Sequence, residues 1–159
     1  MKLGLSSYTY TWAVGVPGSE PGNPIHLCGL LEKAEASGIN LVQIADNLPV
    51  EKLPPEELEL LADYSIEKGI SLEMGGRGLT SEHTMKCLKT AEYIGSPILR
   101  MVIDAANYEP EIPDIKAIIK ELVPELKSRR IRLAVENHDR LMAREFEDII
   151  QSAGSEWVG

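Results

Sequence analysis

A chain of 159 residues, 43% hydrophobic and 26% charged, is long enough for one domain with a real core and has the proportions of an ordinary globular protein. Its net charge of -9 argues against a surface built to neutralise phosphates, so nucleic acid is not an expected partner. No window is apolar enough for a membrane span, the start "MKLGLSSYTYTW" has no apolar leader core, and cytoplasmic residence is expected.

Short apolar runs alternate with longer helical patterns. The first run, "KLGLSSY", leads into Tyr8 and Trp12. A helix over 25–37 follows, with Leu27, Leu30, Leu31 and Ala34 on one face and Gly38 as its stop. After the second run, "GINLVQIAD", Pro54, Pro55, Glu56 and Glu57 open a helix over 55–68 that Gly69 ends. The third run is "GISLEMGG". The "GGRG" at 75–78 reads as a tight turn, a phosphate-cradling loop being the other reading. Thr80 or Ser81 caps a helix over 81–94, and Gly95 closes it.

The fourth run is "SPILRMVID". In the helix over 112–128 that follows, Ile115, Ile118, Ile119, Leu122 and Leu126 form a core stripe, which Pro124 should kink or split. The basic cluster from Lys127 to Arg130 complements the dipole at that helix end. The fifth run, "RIRLAVEN", precedes a last helix over 143–153. Cys28 and Cys87 fall in helical patterns without metal or redox spacing and read as reduced packing residues.

Strict alternation of strand and helix means parallel strands with helical crossovers, in an open sheet or a barrel. No Gly-x-Gly-x-x-Gly follows the first run, so a dinucleotide-binding sheet has no support. Each later run carries one polar residue: Gln43, Glu73, Arg100 and Glu136. By parity Leu99, Met101 and Ile103 share one face and Arg100 takes the other. Likewise Ile131, Leu133 and Val135 oppose Ala134, Glu136 and His138. A sheet covered on both faces would be apolar on both, whereas a barrel with a site inside its C-terminal end would show this pattern. The competing reading is an ion network of Glu73, Arg100 and Glu136 with no substrate.

Polar residues also gather beyond the runs: Ser6 and Ser7, Asp46 and Asn47, Asp104 and Asn107, then Asn137, His138 and Asp139. Turn chemistry accounts for many of them. Tyr8 and Trp12 suit either an apolar wall against a sugar ring or anchors for helix packing.

The stretches "LGLSSYTY", "GINLVQIADN", "SPILRMVID" and above all "AVENHD" resemble the xylose isomerase-like barrel family, the sugar phosphate isomerases and epimerases, in order along essentially the whole chain. The resemblance implies an α/β fold: a partial (β/α)8 TIM barrel of about five βα units with parallel strands, the C-terminal strands missing, and residues 1–159 as a single incomplete domain. It implies that Glu136 ligates a divalent metal (manganese, magnesium, cobalt or zinc) and takes part in catalysis as an acid or base. Arg100, Asn137, His138, Tyr8, Trp12 and Glu73 are the candidate substrate residues. That family takes its other ligands from an aspartate, a histidine and a glutamate on the sixth, seventh and eighth strands. Here "SEWVG" stands where a sixth strand begins, and His26 and His83 belong to helical segments.

The reaction implied is aldose–ketose isomerisation or epimerisation of a sugar or sugar acid through an enediolate, with the 159 residues alone expected to be inactive. One alternative is a non-catalytic half-barrel, completed by a second copy that covers the unpaired first and last strands and their apolar inner faces. Another is a lyase or decarboxylase of the same fold acting on a sugar acid. A metal-dependent endonuclease would need a basic groove and more than the three histidines present.

Overall fold

The computed structural model describes residues 3–138 and 140–159, so Lys2 at the head of the first run and Asp139 lie outside the described residues. In chain order the elements are β1 (Leu5–Ser6), a 3-10 helix (Ser7–Tyr10), α1 (Thr11–Val14), α2 (Leu27–Ala36), β2 (Leu41–Ile44), a second 3-10 helix (Val50–Lys52) and α3 (Pro55–Glu67). They continue as β3 (Ser71–Arg77), α4 (Ser81–Tyr93), β4 (Ile98–Val102), α5 (Ile112–Arg129), β5 (Arg132–Glu136) and α6 (Ala143–Ala153). The strands form one five-stranded parallel sheet in the order β1-β2-β3-β4-β5. Helical crossovers are the connection that parallel neighbours require.

The helices lie where the punctuation puts them. Gly38, Gly69 and Gly95 follow α2, α3 and α4 with φ of 67°, 64° and 70°, the left-handed step that glycine makes without strain. Thr80 caps α4 by accepting the His83 N–H at 3.2 Å. One face of the sheet is apolar and packed under helices: Val42, Ile44, Leu72, Met74, Leu99, Met101, Leu133 and Val135 meet Leu30, Leu31, Leu61, Leu88, Ile115, Ile119, Leu122 and Leu126. Each such side chain contributes about 1.5–3 kcal/mol, and a slip of one residue would carry a whole strand's share to the wrong face. This layer therefore fixes the register that aligns the opposite face.

On that opposite face the register stacks three tiers. Ser6, Gln43 and Glu73 form the first, Gly75, Arg100 and Ala134 the second, and Arg77, Val102 and Glu136 the third, at the C-terminal ends of the strands.

Four expectations need correction. The "GGRG" segment is not a turn: Gly75, Gly76 and Arg77 belong to β3, and only Gly78 (φ 91°) leaves it. A Cβ at Gly76 would stand 2.8 Å from Met101 Sδ, so this glycine serves close approach between strands. Pro124 does not split α5, which runs unbroken with Ile119, Leu122 and Leu126 buried on both sides of it. Their burial outweighs the roughly 3 kcal/mol that an internal proline costs. Cys28 is exposed and so not a packing residue, while Cys87 is buried. Finally, the last strand is paired and the inner face is polar. Leu133 and Val135 donate to the carbonyls of Trp157 (2.9 Å) and Gly159 (2.7 Å), while Gly159 donates back to Leu133 (3.0 Å). Among the described residues β1 pairs on one side only.

The basic cluster at the end of α5 is used internally, Arg129 pairing with Glu92 and Glu125. No described helix is long and apolar enough to cross a membrane.

Burial pushes the Cys87 thiol up to about 12, whereas Cys28 faces solvent. A thiol-disulfide exchange reagent at pH 8 should therefore titrate one thiol per native chain and two in guanidinium chloride. Two fast thiols in the native protein would contradict this packing.

Candidate active site

The third tier and its neighbours bring four charged side chains together. Arg77 donates from Nε to Asp46 Oδ2 at 2.8 Å, and Asp46 Oδ1 lies 3.8 Å from Arg100 Nη2. Arg100 donates in turn from Nη1 to Glu136 Oε2. The result is an alternating chain, Arg77–Asp46–Arg100–Glu136. Its side chains are 33%, 18%, 20% and 31% exposed, neither sealed in the core nor free in solvent. Pairs in that range keep more of their Coulomb attraction than surface pairs do.

Gly75 makes the chain possible. A Cβ at this position would fall 3.2 Å from both Nε and Nη2 of Arg100 and 3.3 Å from Ala45 Cα. Because nothing projects there, the Arg100 guanidinium passes over Gly75 between the two carboxylates. The cost is visible: Arg100 Nε and Nη2 and Asp46 Oδ1 are buried without a hydrogen-bond partner among the described residues.

Tyr8 joins at the Asp46 end. Burial raises its hydroxyl pKa, with further upward contributions from the Asp46 charge and hydrogen bond; Arg77 opposes them. The hydrogen bond to Asp46 likewise raises Arg77, against the effect of burial. At neutral pH both groups keep their protons.

Other polar residues near the strand ends serve as ties. The buried Ser7 donates from Oγ to Asn47 Oδ1 (2.5 Å) and accepts the Ala45 N–H (2.9 Å), joining the ends of β1 and β2. Arg140 grips both oxygens of Asp104 (3.1 and 2.7 Å) and the Pro110 carbonyl (2.9 Å), joining the loops after β4 and β5. Asn107 has φ 62° in a turn closed between Ala105 and Tyr108, as turn chemistry anticipates.

Of the candidate residues, Arg100 and Glu136 are in direct contact and Tyr8 reaches the same cluster. Asn137 and His138 are exposed just beyond β5. Glu73 is separate: it accepts from Gln43 Nε2 at 3.2 Å in the first tier, four residues before Arg77, about 13 Å deeper along the strand. The network of Glu73, Arg100 and Glu136 thus does not form as a trio. Trp12 is 73% exposed, and Tyr10 rather than Trp12 packs on the core. Sequence reasoning named Asp46 only among the polar residues beyond the runs, and missed Gly75 and Arg77 as parts of the site. The parity of Glu73, Gly75 and Arg77 could have found the last two, had the double glycine not read as a turn.

Among the described residues no three His, Cys, Asp or Glu side chains come together to hold a metal ion. One carboxylate engaged by an arginine does not fit a metal on its own. His26 occupies the N-cap position of α2 without a side-chain cap bond, and His83 on α4 stands 3.6 Å from Cys87 Sγ, both on the helical side. An apolar groove of about 340 Å³ between α2 and α3, lined by Leu27, Leu48, Leu53 and Leu61, shares no residue with the charged cluster.

The packing predicts that Gly75→Ala lowers stability by about 1–3 kcal/mol, read from urea unfolding midpoints. In an R100A background the penalty should shrink, because part of the clash has gone. Equal penalties in both backgrounds would show that Arg100 does not occupy that space.

No family model matches the chain. The 3-oxo-isoapionate decarboxylase of Pectobacterium atrosepticum is 30% identical over 159 residues, all of this chain and 57% of that protein. The chain thus spans rather more than half the length of that curated relative. Among solved structures, D-psicose 3-epimerase in the presence of D-fructose aligns with a TM-score of 0.75 at 15% identity, over 99% of this chain and 62% of the other. The IolI protein with a binding zinc atom aligns with a TM-score of 0.64 at 18% identity, over 100% and 61%. Five parallel strands in sequential order, superposing on about three fifths of such proteins, give the chain the fold of an N-terminal part of a xylose isomerase-like TIM barrel.

Proposed function

We propose that this chain supplies one wall of an active site in which a small 3-oxo sugar acid loses CO2 through an enediolate, the 159 residues alone being inactive. The observation that carries the reading is Glu136, held by Arg100 at the C-terminal end of β5, where barrel enzymes keep their chemistry. The 30% identity to a 3-oxo-isoapionate decarboxylase supports the substrate class.

In such an acid the bond to the carboxyl carbon breaks and CO2 departs. The electron pair passes into the neighbouring ketone, whose oxygen becomes the enediolate oxyanion, and the carbon then takes up a proton. Glu136 would take a proton from water and deliver it to that carbon. Tyr8, Trp12, Asn137 and His138 would line the substrate's approach. Glu136 would ligate a divalent metal only with partners beyond this cluster.

Isomerisation or epimerisation of a ketose is the second reading. A carboxylate at this place is the base that removes an α-proton, and its product is the same enediolate.

The test uses the full-length protein. Supplied with 3-oxo sugar acids it should release CO2, and E136Q should lower kcat/KM by about 100-fold or more. Deuterium uptake by ketoses in heavy water without CO2 release would replace the first reading by the second. Absence of both reactions would sink enediolate chemistry here.

A further inference from the structure

Two arginines stand in the charged cluster, and the geometry separates their roles. Arg100 has little to offer a ligand: one Nη1 N–H is given to Glu136, and Nε and Nη2 are buried over Gly75. Arg77 differs. It spends Nε on Asp46 and shares a hydrogen bond with the Tyr8 hydroxyl, and among the described residues no other side chain takes its N–H groups. Its side chain is 33% exposed, against 20% for Arg100, and a guanidinium has five N–H donors, so some remain for a ligand.

Its position is fixed from behind. Just past Arg77, Gly78 donates to the Val102 carbonyl and Leu79 to the Ile103 carbonyl, each at 2.9 Å. Tyr108 in turn donates to the Leu79 carbonyl at 2.8 Å. Asp46 orients the guanidinium, and a donor held this way needs no reorganisation when charge appears before it.

Arg77 and Glu136 share one tier, Arg77 aligned with Val102 and Val102 with Glu136. Two strand spacings put their backbones about 10 Å apart, with the buried Val102 between them.

We infer that Arg77 is a catalytic residue that donates its terminal N–H groups to the substrate oxygen that becomes the enediolate oxyanion, while Glu136 serves the carbon beside it. This rests on the enediolate reading above. It also places the scissile carboxylate away from Arg77, since a salt bridge there would stabilise the ground state and oppose loss of CO2.

The experiment has a kinetic arm and a binding arm. In the full-length protein R77M should lower kcat about 100-fold with KM within threefold of wild type, and R77K should recover only part because a lysine lacks the fork. R77A should regain activity with added guanidinium ion. D46N/R77M, which leaves no unpaired carboxylate, should show the same kcat loss and guards against misfolding. R77M with kcat within threefold of wild type, while E136Q is impaired, would overturn the inference and leave the proposed function standing.

The binding arm needs no turnover. Oxalate, a planar anion with adjacent oxygens, is titrated calorimetrically into wild type and R77M in metal-free buffer. Binding at least about 30-fold weaker in R77M supports the inference. Equal binding, or none to wild type, overturns it even if the protein proves to catalyse neither reaction.

Discussion

The inner face of this sheet depends on a missing side chain. With no Cβ at Gly75, the Arg100 guanidinium crosses β3 and stands between Asp46, just past β2, and Glu136 on β5. Buried charge is tolerated only in company, and removing one partner strands the others. The four charges therefore form a unit. Arg77 orients through Asp46, Asp46 holds its place between two arginines, and Glu136 has its direction from Arg100. A methyl group at residue 75 would press on the middle of that chain, not on one pair.

The two faces of the sheet divide the work. Apolar burial under the helices supplies stability, and it fixes the register that brings Arg77, Val102 and Glu136 to one level. Because stability comes from the helical face, the inner face tolerates the unsatisfied Arg100 donors, which would weigh heavily in a smaller core. The ties at the strand ends serve the same purpose. Ser7 with Asn47, and Arg140 with Asp104 and Pro110, hold the chain segments around the cluster in place. Rigid support of this kind is what a site needs when its groups must be held to a fraction of an ångström.

Much of this was legible in the sequence. Helix limits follow from Gly38, Gly69, Gly95 and the Thr80 cap, since local chemistry sets them. Face assignment on β4 and β5 follows from parity, because Arg100 and Glu136 interrupt otherwise apolar runs. Failures arose where one residue type serves two purposes. Glycine marks turns and also close strand contacts, so "GGRG" concealed the strand that carries Arg77 to the mouth. The link from Arg77 to Asp46 spans 31 positions, and no local pattern reports such a contact. At Pro124 the apolar stripe rightly kept one helix, and only the split was wrong: the local cost is real, but tertiary burial of Ile119, Leu122 and Leu126 exceeds it.

Charge balance gives the cluster its chemical character. Two arginines face two carboxylates, so the four groups have no net charge to draw an anion in, and the chain as a whole carries -9. Discrimination must then come from oriented donors and not from a general attraction. Such a site binds a ketone oxygen with little preference over water, since that oxygen bears only a partial charge. It interacts far more strongly once a full charge develops there, because the donors are already aimed and the surroundings are partly dry. That difference between ground state and transition state is what lowers a barrier. On the enediolate reading proposed above, a neutral cluster of fixed charges, with a hydrogen-bonded Gln43–Glu73 pair beneath it, acts on the charge that develops and does not collect anions from solution.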